Sequence, residues 1–193
     1  MEQNTMEIIT RLKGKGIQFA DGLTEAEIQK IEAIYDMRFP GSLRGFYGFG
    51  VPFSENEHEF PRWADFSEGN VAKIKERIEK PIQWLLVYVK MDFWLPNWGE
   101  RAKSADEAIR QFVEIAKTSP RLIPVYGHRY MPCLDGIDDP PVISTVGRDT
   151  IYYGSNLREY WQHEFRDDGE EFVVSQSSLH IPFWGDIINA NHG

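Results

Sequence analysis

The sequence contains a single cysteine, Cys133, so no internal disulfide can form and a disulfide-stapled secreted scaffold is excluded. It also lacks a long apolar run, since the longest, from 82 to 89, is far too short to span a bilayer. No apolar segment follows a basic start at the amino terminus, so the pattern of a secretory signal is missing. We therefore expect a soluble, cytoplasmic protein with no membrane partner.

This chain has fewer basic than acidic residues. Twenty-one Lys and Arg residues stand against 30 Asp and Glu residues, which gives a formal net charge of −9. Nucleic acid is therefore not an expected partner, because its binding depends mainly on cationic contacts to phosphates. An acidic protein attracts cations and basic protein surfaces instead.

The common catalytic frameworks are missing as well. There is no Gly-rich phosphate loop with its Lys, no dinucleotide glycine fingerprint, no HExxH and no nucleophile elbow. Metal-binding atoms occur in His128, Cys133, Asp135, Asp138 and Asp139, but their spacing matches neither a zinc site nor an EF-hand loop. We therefore predict no enzyme activity, no metal and no cofactor. An enzyme centred on His128 remains the least favoured alternative.

The composition supports one well-packed domain. Of 193 residues, 41% are hydrophobic, and 12 Phe, 8 Tyr and 6 Trp supply a substantial core. Four indoles are also candidates for sugar stacking or for binding hot spots, although we expect most of them in the core: Trp63, Trp84, Trp94 and Trp98. No repeat or long linker divides the chain. We predict an N-terminal helix and arm over 1–22 and a single domain over 23–193.

Hydrophobic periodicity and N-capping residues predict several helices. Thr5–Lys13 reads as a short amphipathic helix. Two capping boxes mark further helix starts: Thr24 with Glu27, and Ser104 with Glu107. Ser67 is another N-cap, for a helix that we expect to end near Pro81, because proline interrupts the helical hydrogen bonds. The apolar run 82–91 fits a buried helix or a strand, and its Val-Tyr-Val sequence slightly favours a strand.

The C-terminal half is rich in short β-type runs, at 122–126, 141–146 and 150–154, with a turn at 147–149 between the last two. Ser155 is predicted to cap a helix, and Glu171 to Val174 to form a short strand. Strands clustered among segregated helices predict an α+β fold with a largely antiparallel sheet and helices packed on it.

Two sets of residues are candidates for binding a partner. The acidic set could meet a basic protein, although a solvated turn is the favoured explanation: Asp135, Asp138, Asp139, Asp167, Asp168, Glu170 and Glu171. The second set follows apolar runs, where sites often form, although burial with internal partners is the favoured explanation: His128, Arg129, Tyr130, Tyr152 and Tyr153. Strand alternation predicts that Tyr152 and Tyr153 face opposite sides.

Several segments, taken in order from Leu23 onward, resemble the SUKH superfamily, which includes yeast cell-wall-synthesis regulators and many bacterial immunity proteins. The opening segment GLTEAEIQKIEAIYDMRFPGSLRGFYGFG is similar to the opening signature of that family, with Leu43, Arg44 and Phe46 as its Leu-Arg-x-Phe motif. FWLPNWGERAKSADEAI, LIPVYGHRYMP, DTIYYGSNLREYW and IPFWGDII resemble its longer bacterial branch. One departure is Gly48 to Pro52, where many members carry an Asn-Gly-Gly-type turn.

The resemblance implies an α+β binding scaffold without a required cofactor. Bacterial members protect a cell by binding and blocking the toxic domain of a polymorphic or contact-dependent toxin, frequently a nuclease. We therefore predict an immunity protein of the toxin-antitoxin kind, with a cognate toxin domain as its partner; a basic toxin domain would suit the acidic net charge of this chain. The alternative is a regulatory scaffold that binds an endogenous cytoplasmic protein, as the eukaryotic relatives suggest. The oligomeric state is left open.

Overall fold

The computed structural model describes residues 2–56, 59–167, 169, 171–175 and 179–191. Its α-helices are α1 Glu2–Gly14, α2 Glu25–Tyr35, α3 Gly41–Phe49, α4 Glu68–Lys90, α5 Ala105–Ala116, α6 Leu157–Glu164 and α7 Trp184–Asn191. The strands are β1 Gln18–Ala20, β2 Val51–Phe53, β3 Leu122–Tyr126, β4 Arg129–Pro132, β5 Val142–Val146 and β6 Asp149–Gly154. A short 3₁₀ helix covers Pro96–Trp98. Two of the predicted acidic residues, Asp168 and Glu170, lie outside the described residues.

Both sheets are antiparallel, which confirms the predicted α+β fold. Strands β1 and β2 form a small two-stranded sheet, and the other four form a meander in the order β3-β4-β5-β6. The predicted turn between β5 and β6 is present, with Val146 paired to Asp149 across it. The small β1–β2 sheet was not predicted, because strands of three residues are too short to show a period.

The four-stranded sheet separates two hydrophobic clusters, because alternate side chains of a strand point to opposite faces. Ile123, Val125 and Met131 belong to the first cluster, together with residues of α1, α2, α3 and α6. Leu122 and Ile143 belong to the second, together with residues of α5 and α7. Helix α4 contributes to both, since its first half packs in the first cluster and its second half in the second.

The predicted helix starts are confirmed by their hydrogen bonds. The backbone N–H of Glu27 donates to Thr24 Oγ1 over 3.3 Å, and the Glu27 carboxylate accepts from the Thr24 N–H over 2.8 Å. The Ser104 and Ser67 hydroxyls accept from the backbone three residues on, at 3.2 and 3.4 Å. In the Leu-Arg-x-Phe motif, Leu43 and Phe46 are buried and Arg44 forms ion pairs with Glu25 and Glu32.

The predicted helix end at Pro81 is wrong, and so is the strand favoured for 82–91. Helix α4 continues through Pro81 to Lys90. Proline has no N–H to donate to the carbonyl four residues back, which here belongs to Arg77. The hydroxyl of Tyr130, from β4, donates to that carbonyl oxygen over 3.2 Å. A donor from the sheet therefore replaces the hydrogen bond that Pro81 cannot make, and the helix is not forced to stop.

Two local predictions near the C terminus are also corrected. The N-cap of α6 is Asn156 and not Ser155, because the Asn156 side chain accepts the Glu159 N–H over 2.8 Å. Residues 171–175 form no strand and instead lie against α6, where the Ser175 N–H donates to the Glu159 carboxylate over 2.7 Å. The predicted final apolar segment contains the start of α7.

The turn between β5 and β6 lies against α4. Gly147 has a φ of +63°, and a Cβ built on it would lie 2.1 Å from Cε2 of Tyr88. The positive φ favours glycine, and any larger residue would also require the Tyr88 ring to move. Within the described residues, no helix has both the length and the apolar composition needed to cross a bilayer.

Candidate functional site

Arg129 is held inside the protein. Its Nε donates to Glu164 Oε2 over 3.1 Å, its Nη1 donates to Ser144 Oγ over 3.0 Å, and its guanidinium lies 3.8 Å from the ring centroid of Tyr153. Burial raises the pKa of the Glu164 carboxyl, although the charge of Arg129 acts in the opposite direction. Through these contacts Arg129, in β4, is connected to β5, β6 and α6, so its role is structural.

Like Arg129, two of the predicted tyrosines have hydrogen-bond partners inside the protein. Tyr130 is buried and bonds to the Arg77 carbonyl, and the Tyr152 hydroxyl donates to the Leu179 carbonyl over 3.3 Å. Burial raises the pKa of both phenols. Tyr152 packs against the second cluster and Tyr153 against the first, which confirms that they face opposite sides of the sheet.

Tyr153 is part of a stack of flat side chains. Its ring lies 4.1 Å from that of His163 in α6, and the His163 ring lies 4.5 Å from that of Phe172. The Nδ1 atom of His163 is 2.9 Å from the Tyr153 carbonyl oxygen. This stack attaches the segment that follows α6 to the sheet.

His128 lies exposed in the turn between β3 and β4. Its pKa is lowered, first by partial burial of the ring and then by the nearby charge of Arg129, while Asp149 acts in the opposite direction. The ring is therefore neutral at pH 7. Among the described residues, no group of three or more His, Cys, Asp or Glu side chains is placed to hold a metal ion.

The acidic candidates lie in two loops, one of which contacts the start of α6 and one of which follows its end. Asp135, Asp138 and Asp139 are exposed in the loop between β4 and β5. Asp139 Oδ1 accepts the backbone N–H of Leu157, the first residue of α6, over 3.0 Å. A carboxylate there also interacts favourably with the positive end of the helix dipole. Asp138 accepts the Ser42 N–H through its backbone carbonyl over 2.8 Å, and its exposed side chain lies beside Gly41 at the start of α3.

The other described acidic residues follow the far end of α6. Asp167 forms an ion pair with Lys15, and this hydrogen-bonded contact lowers the pKa of its carboxyl. Glu171 is exposed beside Phe172. Because α6 has eight residues, its ends are about 12 Å apart. We refer to these residues together as the α6 acidic surface: Asp135, Asp138, Asp139, Asp167 and Glu171.

A second feature, the α4 groove, was not among the predicted sites. It has a volume of about 680 Å³ and runs along α4 from Gly69 to Trp84, between the loop that precedes this helix and the turn at Gly127 and His128. Several α4 residues line one wall, among them Lys73, Arg77, Lys80 and Trp84. Of the candidates named from the sequence, Trp84, His128 and Tyr130 reach this groove.

Arg77 is the most firmly placed of the groove cations. Its Nη2 donates to the carbonyl oxygens of Glu59 and Gly127, over 2.8 and 2.9 Å. Burial lowers its pKa, although neighbouring tyrosines act in the opposite direction. The guanidinium stays charged, because the pKa of arginine lies far above neutral. At the end of the same wall, the Lys80 ammonium lies 5.2 Å from the ring centroid of Trp84.

The sequence contains a signal for this groove. The spacing of Lys73, Arg77, Lys80 and Trp84 is four, three and four positions, which is the spacing of one helix face. The prediction that the helix ends at Pro81 separated Trp84 from the three cations and hid the pattern. No family model, curated protein or solved structure matches the chain. The resemblance to the SUKH superfamily is therefore carried by the sequence motifs alone.

Proposed function

We propose that this chain is a non-catalytic protein-binding module that acts as an immunity protein, by binding a toxin domain and blocking it. The observation that carries the proposal is the α6 acidic surface, whose carboxylates are exposed in the loop that contacts the start of one short helix and in the segment that follows its end. The helix itself is anchored in the first hydrophobic cluster by Leu157, Tyr160 and Trp161. The helix beside these carboxylates is therefore held in place by the core.

The dimensions of this surface suit a protein partner. A stable interface buries about 800 Å² on each side, and the two ends of α6, about 12 Å apart, lie well inside such an area. A basic toxin surface would be attracted by these carboxylates before contact, which raises the association rate. A nuclease has a basic substrate-binding surface, so covering that surface would block it. The internal contacts of Arg129, Tyr130 and Tyr152 agree with a scaffold role for those side chains.

The first test is calorimetric titration of this protein into a catalytically inactivated toxin domain encoded beside its own gene, at two salt concentrations. We expect a Kd of about 1 nM, weakened by salt. No binding between the two folded proteins would contradict the immunity role for that pair. Recovery of an endogenous housekeeping protein instead would support the regulatory-scaffold alternative.

The second test addresses the surface. The double variant Asp135→Lys/Glu171→Lys changes one exposed carboxylate of the β4–β5 loop and one after α6, and we expect it to slow association about tenfold at low salt and to flatten the salt dependence. Glu100→Lys is the control, because Glu100 is exposed and lies before α5, outside this surface. Equal association rates for the double variant and for Glu100→Lys would remove the α6 acidic surface from the interface.

A further inference from the structure

The α4 groove carries a charge opposite to that of the whole chain. Its lining includes four cationic side chains: Arg62, Lys73, Arg77 and Lys80. Against them stand two carboxylates, Asp65 and Glu76, in a protein whose formal net charge is −9. Asp65 already accepts the Ser67 N–H over 2.9 Å at the start of α4, and this bond lowers its pKa. The groove is therefore a local positive region on an acidic protein.

Two of these cations have no carboxylate partner among the described residues. The two acceptors of Arg77 are neutral backbone carbonyls, and in the described part of the chain neither Arg77 nor Lys80 has a carboxylate within ion-pair distance. A partly buried charge without a counter-charge is unfavourable, and an anion that binds beside it offsets that cost. The position of Arg77 is fixed in advance by its two carbonyl bonds, so little side-chain freedom is lost when an anion binds.

Trp84 adds an apolar surface to the same wall. Its side chain is half-buried, and it lies one helical turn beyond Lys80. Partly exposed tryptophans provide large rigid contact areas in protein interfaces. The wall thus offers cationic side chains first and then an indole, in a fixed order along α4.

The length of this wall suits an extended peptide. From Lys73 to Trp84 the helix rises about 16 Å, which is the length of about five residues of extended chain. Side chains three or four residues apart on a helix lie about 5–6 Å apart, close to the roughly 7 Å between alternate side chains of a strand. An extended peptide can therefore place successive same-side groups near successive groups of the wall.

We propose that the α4 groove binds an extended acidic peptide segment of a partner protein, with carboxylates at Arg77 and Lys80 and an apolar side chain on Trp84. This site is separate from the α6 acidic surface and has the opposite charge, so it goes beyond the proposed immunity function. A long polyanion such as nucleic acid is disfavoured, because the net charge of the whole chain repels it.

The test uses a fluorescein-labelled synthetic peptide, Glu-Ser-Glu-Ser-Leu, titrated with the full chain and followed by fluorescence anisotropy. We expect saturable binding with a Kd below about 1 mM, weakened by salt. Lys80→Glu should raise the Kd about tenfold, and Lys80→Gln by a smaller factor. Lys75→Glu is the matched control, since Lys75 is exposed on the same helix outside the groove, and we expect its Kd within twofold of the parent.

Four outcomes would overturn the proposal. They are no saturation at 1 mM protein, equal weakening by Lys80→Glu and Lys75→Glu, equal binding of the neutral peptide Gln-Ser-Gln-Ser-Leu, and tighter binding of a single-stranded oligonucleotide of similar length. Circular dichroism confirms that each variant is folded before titration. Because the assay contains no toxin domain, its result is independent of the immunity proposal, and either can fail while the other stands.

Discussion

Arg129 shows how a residue that looks like a site residue in the sequence can be structural. Its side chain and that of Glu164 are only 12% and 15% exposed, so their charges are largely removed from water. Burial raises the pKa of Glu164, which means that the folded protein holds the Glu164 proton more tightly than the unfolded chain does. The stabilisation that this carboxyl gives the folded protein is therefore lost as the pH rises through the pKa that Glu164 has in the folded state.

We predict that Arg129→Met lowers the free energy of unfolding by about 3 kcal/mol at pH 7, because it leaves a buried carboxylate without its partner. The loss should be smaller at pH 5, where Glu164 is more readily protonated and no longer needs a counter-charge. Urea denaturation at the two pH values measures this difference. Lys117→Met is the control, since Lys117 and Glu114 are both exposed and such a pair contributes under about 1 kcal/mol. Equal losses at both pH values would contradict the argument.

At the scale of helices and strands, the sequence predicts those features that are determined by residues close together in the chain. The capping box of α2 and the Ser104 N-cap of α5 are formed within four residues of sequence, and both are confirmed, although at α5 the Glu107 carboxylate accepts from the Ser104 hydroxyl and not from its backbone N–H. The continuation of α4 could not be predicted in this way, because the donor that replaces the missing N–H of Pro81 comes from Tyr130 in β4. The α4 groove was missed for the same reason, since its wall extends past Pro81 to Trp84.

The hydrogen bond from Tyr130 to the Arg77 carbonyl predicts that substitutions at Tyr130 and Pro81 are coupled. Tyr130→Phe should lower the free energy of unfolding by about 1–2 kcal/mol, because the Arg77 carbonyl loses its donor inside the protein. In a Pro81→Ala background the new N–H of residue 81 supplies that donor, so the same change should cost clearly less. Urea denaturation of the four proteins measures the coupling. Additive losses would show that Tyr130 and Pro81 act independently.

At the scale of the whole molecule, composition and β-rich runs were sufficient to predict the α+β class. The arrangement of the two hydrophobic clusters was not predictable, because it depends on which strands pair and on α4 reaching both faces. The exposed acidic residues were found from sequence, since a dense group of carboxylates has little reason to be buried. Which of them bind a helix terminus or a lysine, as Asp139 and Asp167 do, is decided by three-dimensional contacts.

Because α4 packs in both clusters, we predict that they unfold together. Ile123→Ala in the first cluster and Leu85→Ala in the second should each lower the free energy of unfolding by about 3 kcal/mol, since both side chains are fully buried. Tryptophan fluorescence and far-UV circular dichroism should give one coincident urea transition for each variant. Two separate transitions in either variant would show that the clusters are independent units.

The contact of Gly147 with Tyr88 has an evolutionary consequence. Strand residues on the two sides of this turn can be exchanged for others of similar size, but position 147 has to meet a positive φ and a ring contact at once. Selection should therefore preserve this glycine in any descendant that keeps both the turn and the Tyr88 ring against α4. Distant relatives that keep this turn should agree at position 147 when the rest of their sequences has diverged.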